Sequence, residues 1–457
     1  MFATASKRTS ELCNATYGHS STASWGATLP RRNLADTGHM SEGLSPASGS
    51  RRKAALVFIF VTVILDVLAL GIVIPVLPHL IAGFKGGDLA SAAYVYGIFG
   101  TAFAVMQFLF SPVQGALSDR FGRRRVILLS NLGLGLDYIL MAVAHTLPLL
   151  FIGRVISGIC AASISTANAY IADITPVEKR AQSYGFLGAA FGLGFVLGPA
   201  VGGLCAEVDP RLPFWVAAGL SLANAAYGWL ILPESLPVER RSAFSWRRAN
   251  PLASIVMLSR QRQLFGLAGV VFLSQLAHVV LPAVFVLYAA YRYQWTAGDV
   301  GLVLALVGIC SAVVQAGLMR PLVGALGERR TLLLGLTAGA LGFGIYGFAS
   351  TGVVFLIGIP VMALWGVASP AAQALMTAQV DPKEQGRLQG AIWSLAGVAG
   401  MIGPYLFTQI FATFIGDSAP MVLPGAPFLL AALLLAASGM LAWLVARVER
   451  PVSVSTA

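Results

Sequence analysis

The stretch Gly115-Ala-Leu-Ser-Asp119-Arg120-Phe-Gly122-Arg123-Arg124-Arg125 lies between two long apolar runs and decides the fold. Its glycines allow the chain to turn sharply, and its arginines hold that turn in water. A turn this short lets the two flanking runs fold back on each other as membrane helices. The basic residues keep the turn on one side of the bilayer.

The composition of the whole chain supports the same interpretation. The 457 residues are 57% hydrophobic and 11% charged, with a mean hydropathy of +0.78. Soluble domains contain about 25% charged residues, so this chain cannot cover a water-facing surface. The sequence therefore predicts an all-α integral membrane protein.

The cysteines predict neither a metal site nor a cofactor. Cys160, Cys205 and Cys310 lie in apolar runs, and Cys13 lies in a polar segment. None of them stands at metal-ligand spacing from another cysteine or from a histidine. We therefore expect no cofactor and no disulfide framework.

Apolar runs of about 20 residues, the length that a helix needs to cross the bilayer core, recur from Ala54 onward. They predict twelve membrane helices, at 54–83, 93–114, 126–146, 149–171, 183–205, 213–232, 263–291, 299–320, 331–350, 353–379, 388–411 and 427–447. The first run follows three basic residues, as a signal peptide does. It is too long for one and lacks a small-residue cleavage site, so we expect it to remain in the mature protein.

Basic residues collect in every second loop. The loops after the odd-numbered helices hold only Lys85, Arg211 and Arg292. The loops after the even-numbered helices hold Arg120, Arg123, Arg124, Arg125, Lys179, Arg180, Arg240, Arg241, Arg247, Arg248, Arg260, Arg262, Arg320, Arg329, Arg330, Lys383, Arg387, Arg447 and Arg450. This alternation places the even loops and both termini in the cytoplasm. The net charge of +11 is thus a signal of topology and argues against nucleic acid as a partner.

The two ends of the chain are polar. Residues 1–53 are rich in small polar side chains, which predicts a disordered cytoplasmic tail. Their low acid content also fits an organellar transit peptide, although we favour an over-extended start with Met40 as the alternative first residue. A short cytoplasmic tail is expected at 448–457.

The longest internal polar stretch, 233–262, lies at the midpoint of the twelve predicted helices. It predicts a cytoplasmic linker between two six-helix bundles, at 54–232 and 263–447. An internal repeat with an offset of 205 residues (327 − 122, 404 − 199) supports two pseudo-symmetric halves. The matched pairs are Gly122 and Gly327, Arg124 and Arg329, Gly185 and Gly390, Gly192 and Gly397, Gly198 and Gly403, and Pro199 and Pro404.

Three charged side chains fall well inside predicted membrane helices: Asp66, Asp137 and Arg154. A charge at such depth costs at least ~2.5–3.5 kcal/mol, so it normally faces a partner or a water-filled cavity. One interpretation is an ion pair between Arg154 and a carboxylate that only locks the helices together. The other is that at least one carboxylate exchanges a proton during transport, and we assign proton coupling to these three residues.

The second half of the chain carries no charged residue deep in its predicted helices. Its main polar residues there are Gln275, His278 and Gln315, and Asn168 is a similar residue in the first half. We expect these four to be candidates for lining a substrate cavity between the halves. A lone histidine on an apolar helix is more often a packing residue than a proton relay.

The fifth predicted helix is dense in glycine. Small residues at a spacing of four remove side chains from a helix face and allow close helix contact, and a proline kinks the helix. The residues that we expect to form such a packing surface are Gly188, Gly192, Gly194, Gly198, Pro199, Gly202 and Gly203. The copy at Gly403-Pro404 predicts a matching surface in the other half.

Together these patterns resemble the major facilitator superfamily, and within it the twelve-helix drug/proton antiporters. The opening stretch is similar to the loop motif of that superfamily at Gly115, Asp119, Arg120, Gly122, Arg123 and Arg124. The segment from Leu150 through Arg154 to Gly158 resembles its helix-4 motif, whose arginine is implicated in proton coupling. The segment from Gly192 to Gly203 resembles the helix-5 motif of the antiporter branch.

Within that branch, the segments Asp66–Pro78 and Leu136-Asp137-Tyr138 resemble the tetracycline/proton antiporters. That group carries a histidine in helix 8 and an aspartate in helix 9, where this chain has Ser311 and Gly339. The resemblance implies a monomeric transporter of the bacterial inner membrane that exports a small amphipathic compound in exchange for protons. The two departures argue against tetracycline itself as the substrate.

Other functions remain open. A proton-coupled symporter or uniporter of a metabolite would have the same fold, and a non-transporting sensor or scaffold would rely on the N-terminal tail. An integral-membrane enzyme would need a nucleophile–base pair or metal ligands, and a pump driven by ATP would need a phosphate-binding loop; the sequence contains neither. We therefore expect a transporter and not an enzyme.

Asp119 distinguishes the loop of the first half from its copy, because Gly324 stands at the matching position. The arginines are shared between the two loops and account for anchoring. We predict that Asp119 forms a cytoplasmic latch that stabilises the outward-facing state, with Arg123 or Arg124 nearby.

Overall fold

The computed structural model describes residues 46–161, 163–175, 180–242, 258, 262–381, 384–416, 419 and 421–446. The predicted C-terminal tail, most of the predicted N-terminal tail and most of the predicted linker lie outside the described residues. Within the described part all regular structure is helical, as the composition predicts.

The helices of the first half are separated by short turns. They are α1 (Pro46–Val73), α2 (Leu77–Phe84), α3 (Leu89–Phe121), α4 (Arg123–Val143), α5 (Leu147–Cys160), α6 (Ser163–Ile174), α7 (Arg180–Val208) and α8 (Leu212–Ile231). A short 3-10 turn follows at Val238–Arg240.

The second half repeats this arrangement with more irregular segments. Its helices are α9 (Arg262–His278), α10 (Val280–Tyr293), α11 (Ala297–Val313), α12 (Met319–Phe348), α13 (Gly352–Ala363), α14 (Ala368–Thr377), α15 (Gln385–Ile415) and α16 (Ala426–Val445). A π-helical segment at Val314–Leu318 joins α11 to α12, and a 3-10 segment at Leu364–Val367 joins α13 to α14.

The described residues contain eleven apolar helical stretches long enough to span a membrane. One of them, Ala297–Phe348, is 52 residues long. At 1.5 Å per residue it would extend for about 78 Å, more than twice the thickness of a bilayer core. The backbone turns inside it at Gly327, so this stretch holds two crossings. The chain therefore crosses the membrane twelve times, as the sequence predicts.

The repeat is visible in the backbone of the two basic turns. Gly122 has φ 100° and ψ 150°, and Gly327 has φ 74° and ψ 165°. Only glycine adopts such positive φ values without strain. Both turns therefore reverse the chain by the same glycine conformation, 205 residues apart.

Helix contacts follow the same two-fold relation. In the first half α4 packs against α8, and in the second half α12 packs against α16. Between the halves α3 packs along α15, and α7 packs along α11. Exchanging the halves turns one of these contacts into the other, so the molecule consists of two pseudo-symmetric six-helix bundles.

Only part of the glycine-rich surface of α7 packs closely against other helices. A Cβ at Gly194 or Gly198 would collide with α1, and one at Gly203 would collide with the start of α11. Gly188 and Gly192, which the sequence places in the same surface, instead have no atom within 4 Å of the Cβ position. The dense contact is therefore confined to one end of α7.

The matching proline of the second half lies in an equivalent contact. Pro199 of α7 lies against Gly301 of α11, and Pro404 of α15 lies against Gly100 of α3. In each case a helix with a proline approaches a glycine of the other half. The absence of a side chain at that glycine is what allows the approach.

The two halves are joined at one end by a side-chain hydrogen bond. We call the end with Arg120–Arg125 and Arg329–Arg330 the basic side. At the other end Tyr96 Oη donates to the carbonyl oxygen of Pro282 at 3.0 Å, which joins the halves. Toward the basic side, glycines of α3, α7 and α15 have no atom within 4 Å of their Cβ positions: Gly115, Gly188, Gly192 and Gly386. The described contacts that join the ends of these helices thus lie opposite the basic side.

Candidate functional site

Asp66 lies in α1 and is held by two amides from other helices. Asn224 Nδ2 of α8 donates to Asp66 Oδ1 at 2.9 Å and to the carbonyl oxygen of Thr62 at 3.0 Å. Asn131 of α4, with its amide turned so that all polar atoms are satisfied, donates to Asp66 at 3.1 Å and accepts from Asn224 at 3.0 Å. Both asparagines are fully buried. The carboxylate therefore lies in a three-helix network of neutral groups.

Asp137 of α4 has a hydrogen-bond partner and is closely approached by α5. Ser157 Oγ of α5 donates a short hydrogen bond to Asp137 Oδ2. Its other oxygen is buried without a hydrogen-bond partner among the described residues. A Cβ at Gly153 would lie 3.0 Å from that oxygen, so α5 approaches Asp137 through a glycine. One oxygen of this carboxylate is thus available for a proton or a mobile partner.

Arg154 of α5 faces an aromatic ring. Its guanidinium carbon lies 4.3 Å above the ring centre of Phe103 in α3, a cation–π contact. Its Nε is buried without a hydrogen-bond partner, and no carboxylate of the described residues lies within 4.0 Å of it. The ion pair with a carboxylate that would lock these helices is therefore not formed in this conformation.

The predicted cavity residues lie in two groups. His278 and Gln315 are exposed although both lie deep in membrane-spanning helices, whereas Asn168 and Gln275 are half-buried. The His278 ring lies 5.4 Å from that of Trp365, and a Cβ at Gly366 would lie 3.9 Å from Gln315 Cγ. His278 and Gln315 thus lie near neighbouring residues of one 3-10 segment. Within the described part, the side chains of Asn168 and Gln275 make no hydrogen bond.

The basic turn carries a network of charged groups around Arg123. Asp119 Oδ1 lies 2.6 Å from Arg123 Nη1, and Asp173 Oδ2 lies 3.2 Å from Arg123 Nε. Glu234 Oε1 accepts from the backbone N–H of Arg123 at 2.8 Å, and so caps the first turn of α4. The backbone N–H of Ser242 donates to the carbonyl oxygen of Asp119 at 3.1 Å.

The other residues of the turn have different contacts. Arg124 donates a short hydrogen bond to the carbonyl oxygen of Trp229 at the end of α8. Arg120 lies over the ring of Phe121 at 5.0 Å, and Gly115 has open space around it. The segment from Glu234 to Ser242, which the sequence assigns to the linker, is therefore attached to the turn by hydrogen bonds.

Several site residues did not stand out in the sequence. Asn131, Asn224 and Ser157 hold the two buried aspartates, and the only signal for them is an amide or a hydroxyl inside an apolar run. Asp173 and Glu234 complete the network at the turn, and both stand at the ends of apolar runs. Their partners follow from helix packing, which a search for charged residues inside the predicted helices does not detect.

Two pseudo-symmetric six-helix bundles, with charged groups buried at membrane depth in the first of them, define a secondary transporter of the alternating-access type. The chain belongs to the major facilitator superfamily. The family model of that name matches residues 59–365 and 267–457.

Sequence relatives and a solved structure agree with this assignment. The tetracycline resistance protein of class C from Escherichia coli is 39% identical over 358 residues, which are 78% of this chain and 90% of that protein. The class B protein from Escherichia coli is 34% identical over 79% of this chain and 88% of its own length. The crystal structure of the human organic anion transporter MFSD10 superposes with a TM-score of 0.65 at 24% identity, over 86% of this chain and 99% of that one.

Proposed function

We propose that the protein exports small amphipathic compounds in exchange for protons. The observation that carries this proposal is the Asp66 site, where a carboxylate deep in the membrane is held by two neutral amides instead of a cation. A structural ion pair would immobilise the charge, whereas amides can bind either protonation state. The relatives that are named for tetracycline resistance support export of a drug-like compound.

The proposed proton step uses the Asn131 amide as a switch. Its nitrogen donates to ionised Asp66, and a half-turn about the last side-chain bond would present its oxygen to the proton of neutral Asp66. The amide has nearly the same shape in both orientations, so the turn needs little space. Asp137, with one oxygen unpartnered among the described residues, is the second candidate for proton exchange. Arg154 could pair with it when the helices move.

The orientation that we propose puts the basic side in the cytoplasm. We infer that the conformation is then inward-facing, because the contacts that join the helix ends lie on the outside and the glycines toward the basic side have open space around them. Both termini would be cytoplasmic, the membrane would be the inner membrane of a bacterium, and the protein would act as a monomer without a catalytic role.

The test is a proton-flux assay with purified protein in vesicles, which measures the internal pH while a panel of amphipathic compounds is added. We expect Asp66→Asn and Asp137→Asn each to reduce compound-driven proton movement by at least about 10-fold, because neither amide can carry a proton across. Asp88→Asn is the matched control, since Asp88 is an exposed aspartate that caps α3 outside the membrane core.

If the internal pH of vesicles with the wild-type protein does not respond to any compound, the result would argue against antiport. Full proton-driven transport in both aspartate variants would reject these carboxylates as the coupling groups. Proton uptake in the same direction as the compound would instead indicate the symporter alternative.

A further inference from the structure

Three membrane-spanning helices of the second half lose their regular α-helical form near one side chain, Trp365. The crossing that contains α9 and α10 is interrupted after His278, and the π segment Val314–Leu318 interrupts the next crossing. Trp365 itself lies in the 3-10 segment Leu364–Val367. Single π turns and broken membrane helices are frequently found at functional sites. The two segments around Gln315 and Trp365 also contact each other.

The indole of Trp365 fills space that a glycine provides. A Cβ at Gly339 of α12 would lie 2.8 Å from Trp365 Cγ and 3.0 Å from Trp365 Cβ, so the indole is placed where a side chain at 339 would begin. Trp365 Nε1 donates to Ser274 Oγ of α9 at 3.2 Å. The ring of Phe343 lies 5.7 Å away, edge-on. The orientation of the indole is therefore fixed by contacts with two other helices, α9 and α12.

The groups beside the indole are polar and accessible. His278 lies 5.4 Å from the indole with the ring planes at 52°, and it is exposed. Gln315 is also exposed and lies beside Gly366, the residue after Trp365. Hydrogen-bonding side chains at this depth are costly in lipid, so we place these two in the cleft that the proposed inward-facing conformation would open between the halves.

We propose that Trp365, with His278 and Gln315 at its edges, forms a stacking site for a planar aromatic ring of the transported compound. The proposal rests on the export function proposed above and defines its substrate class. A fixed indole stacks on a flat ring, and the imidazole and the amide donate to or accept from groups at the edge of that ring. The site therefore selects planar aromatic compounds over aliphatic ones of the same charge.

The test compares transport of two cations by protein in vesicles: ethidium, which is planar and aromatic, and tetrapropylammonium, which is aliphatic. Loss of one aromatic stacking partner should raise the KM for ethidium about 10-fold in Trp365→Leu. Trp365→Phe should restore part of the affinity. The KM for tetrapropylammonium should not change in either variant. Trp215→Leu is the matched control, because Trp215 is a half-exposed tryptophan on α8, away from this cluster.

A second pair of variants tests the geometry without removing the indole. Gly339→Ala should displace Trp365 and raise the KM for ethidium as Trp365→Leu does. Gly344→Ala on the same helix should leave it unchanged, because a Cβ there meets no atom within 4 Å. Thermal unfolding shows whether each variant is folded. If Trp365→Leu does not fold, the KM of Trp365→Phe for ethidium is used to test the proposal.

The outcomes separate the two proposals. If no compound moves protons through the wild type, the export function fails. If the wild type exports ethidium and Trp365→Leu and Gly339→Ala keep its KM, the stacking site is wrong and the export function stands. Wild-type export of the aliphatic cation alone would also overturn the stacking site.

Discussion

At the scale of single residues, buried charge is accommodated by neutral neighbours. Asp66 binds Asn131 and Asn224, Asp137 binds Ser157, and Arg154 lies on Phe103. The cost of placing a charge in the membrane is thereby reduced without fixing each charge to an opposite one. This leaves the groups free to change partners as the conformation changes.

Asp119 is an acidic residue of a different kind, because it lies at the surface of the basic turn and pairs with Arg123. We expect Asp119→Asn to lower turnover several-fold while expression and KM stay near wild type, since the proposed latch stabilises the outward-facing state and does not bind substrate. Initial transport rates in vesicles measure this. Glu239→Gln, an exposed acid on the same side, is the control. Unchanged turnover in Asp119→Asn would rule out the latch.

At the scale of helices and turns, the same glycine conformation recurs in two settings. The turn at Gly122 is surrounded by Glu234 and Arg241, whereas the turn at Gly327 has open space. Among the described residues, a network of charged groups thus surrounds only one of the two equivalent turns. This difference agrees with the sequence, in which Asp119 has no counterpart.

The two turns should respond differently to alanine. Gly327→Ala introduces only the strain of a positive φ, which costs about 1–3 kcal/mol. Gly122→Ala adds a collision with the Glu234 carboxylate, so its loss of stability should be larger. Thermal unfolding in detergent compares the two, with Gly344→Ala as a control for a helical glycine in open space. Equal losses would show that Glu234 moves aside without cost.

At the scale of the whole molecule, the halves meet along α3 with α15 and α7 with α11, and the described contacts that join the helix ends lie opposite the basic side. Rocking of two rigid bundles about these contacts is the motion that we propose for transport. Transport then requires these two helix pairs to open at the opposite side and close at the basic side.

A cross-link between the halves should stop this motion. The Cβ of Ala104 lies 3.9 Å from the Cβ position of Gly400, which is the spacing of a disulfide. Ala104→Cys with Gly400→Cys should form a bond between α3 and α15 and reduce transport at least about 10-fold, with recovery after reduction. Each single cysteine variant is the control. A cross-linked protein with full activity would contradict the rocking of these helices.

Much of the fold could be predicted from the sequence alone, because it depends on the chemistry of residues that are close together in the chain. Apolar run length predicted twelve crossings, and both the crossings and the superfamily that the motifs resemble are confirmed. The repeat matched Gly122 with Gly327, and both adopt a positive φ, which is a property of one position in the chain. These features depend on neighbours in sequence, so composition and spacing are sufficient to find them.

The partners of the buried groups were decided only by the tertiary structure. Hydropathy does not show which face of a membrane helix meets protein, because lipid and the protein interior are equally apolar. The amides that hold Asp66 come from α4 and α8, and the indole of Trp365 lies on Gly339 from another crossing. Such contacts depend on the rotation and approach of whole helices, which only the packed bundles determine.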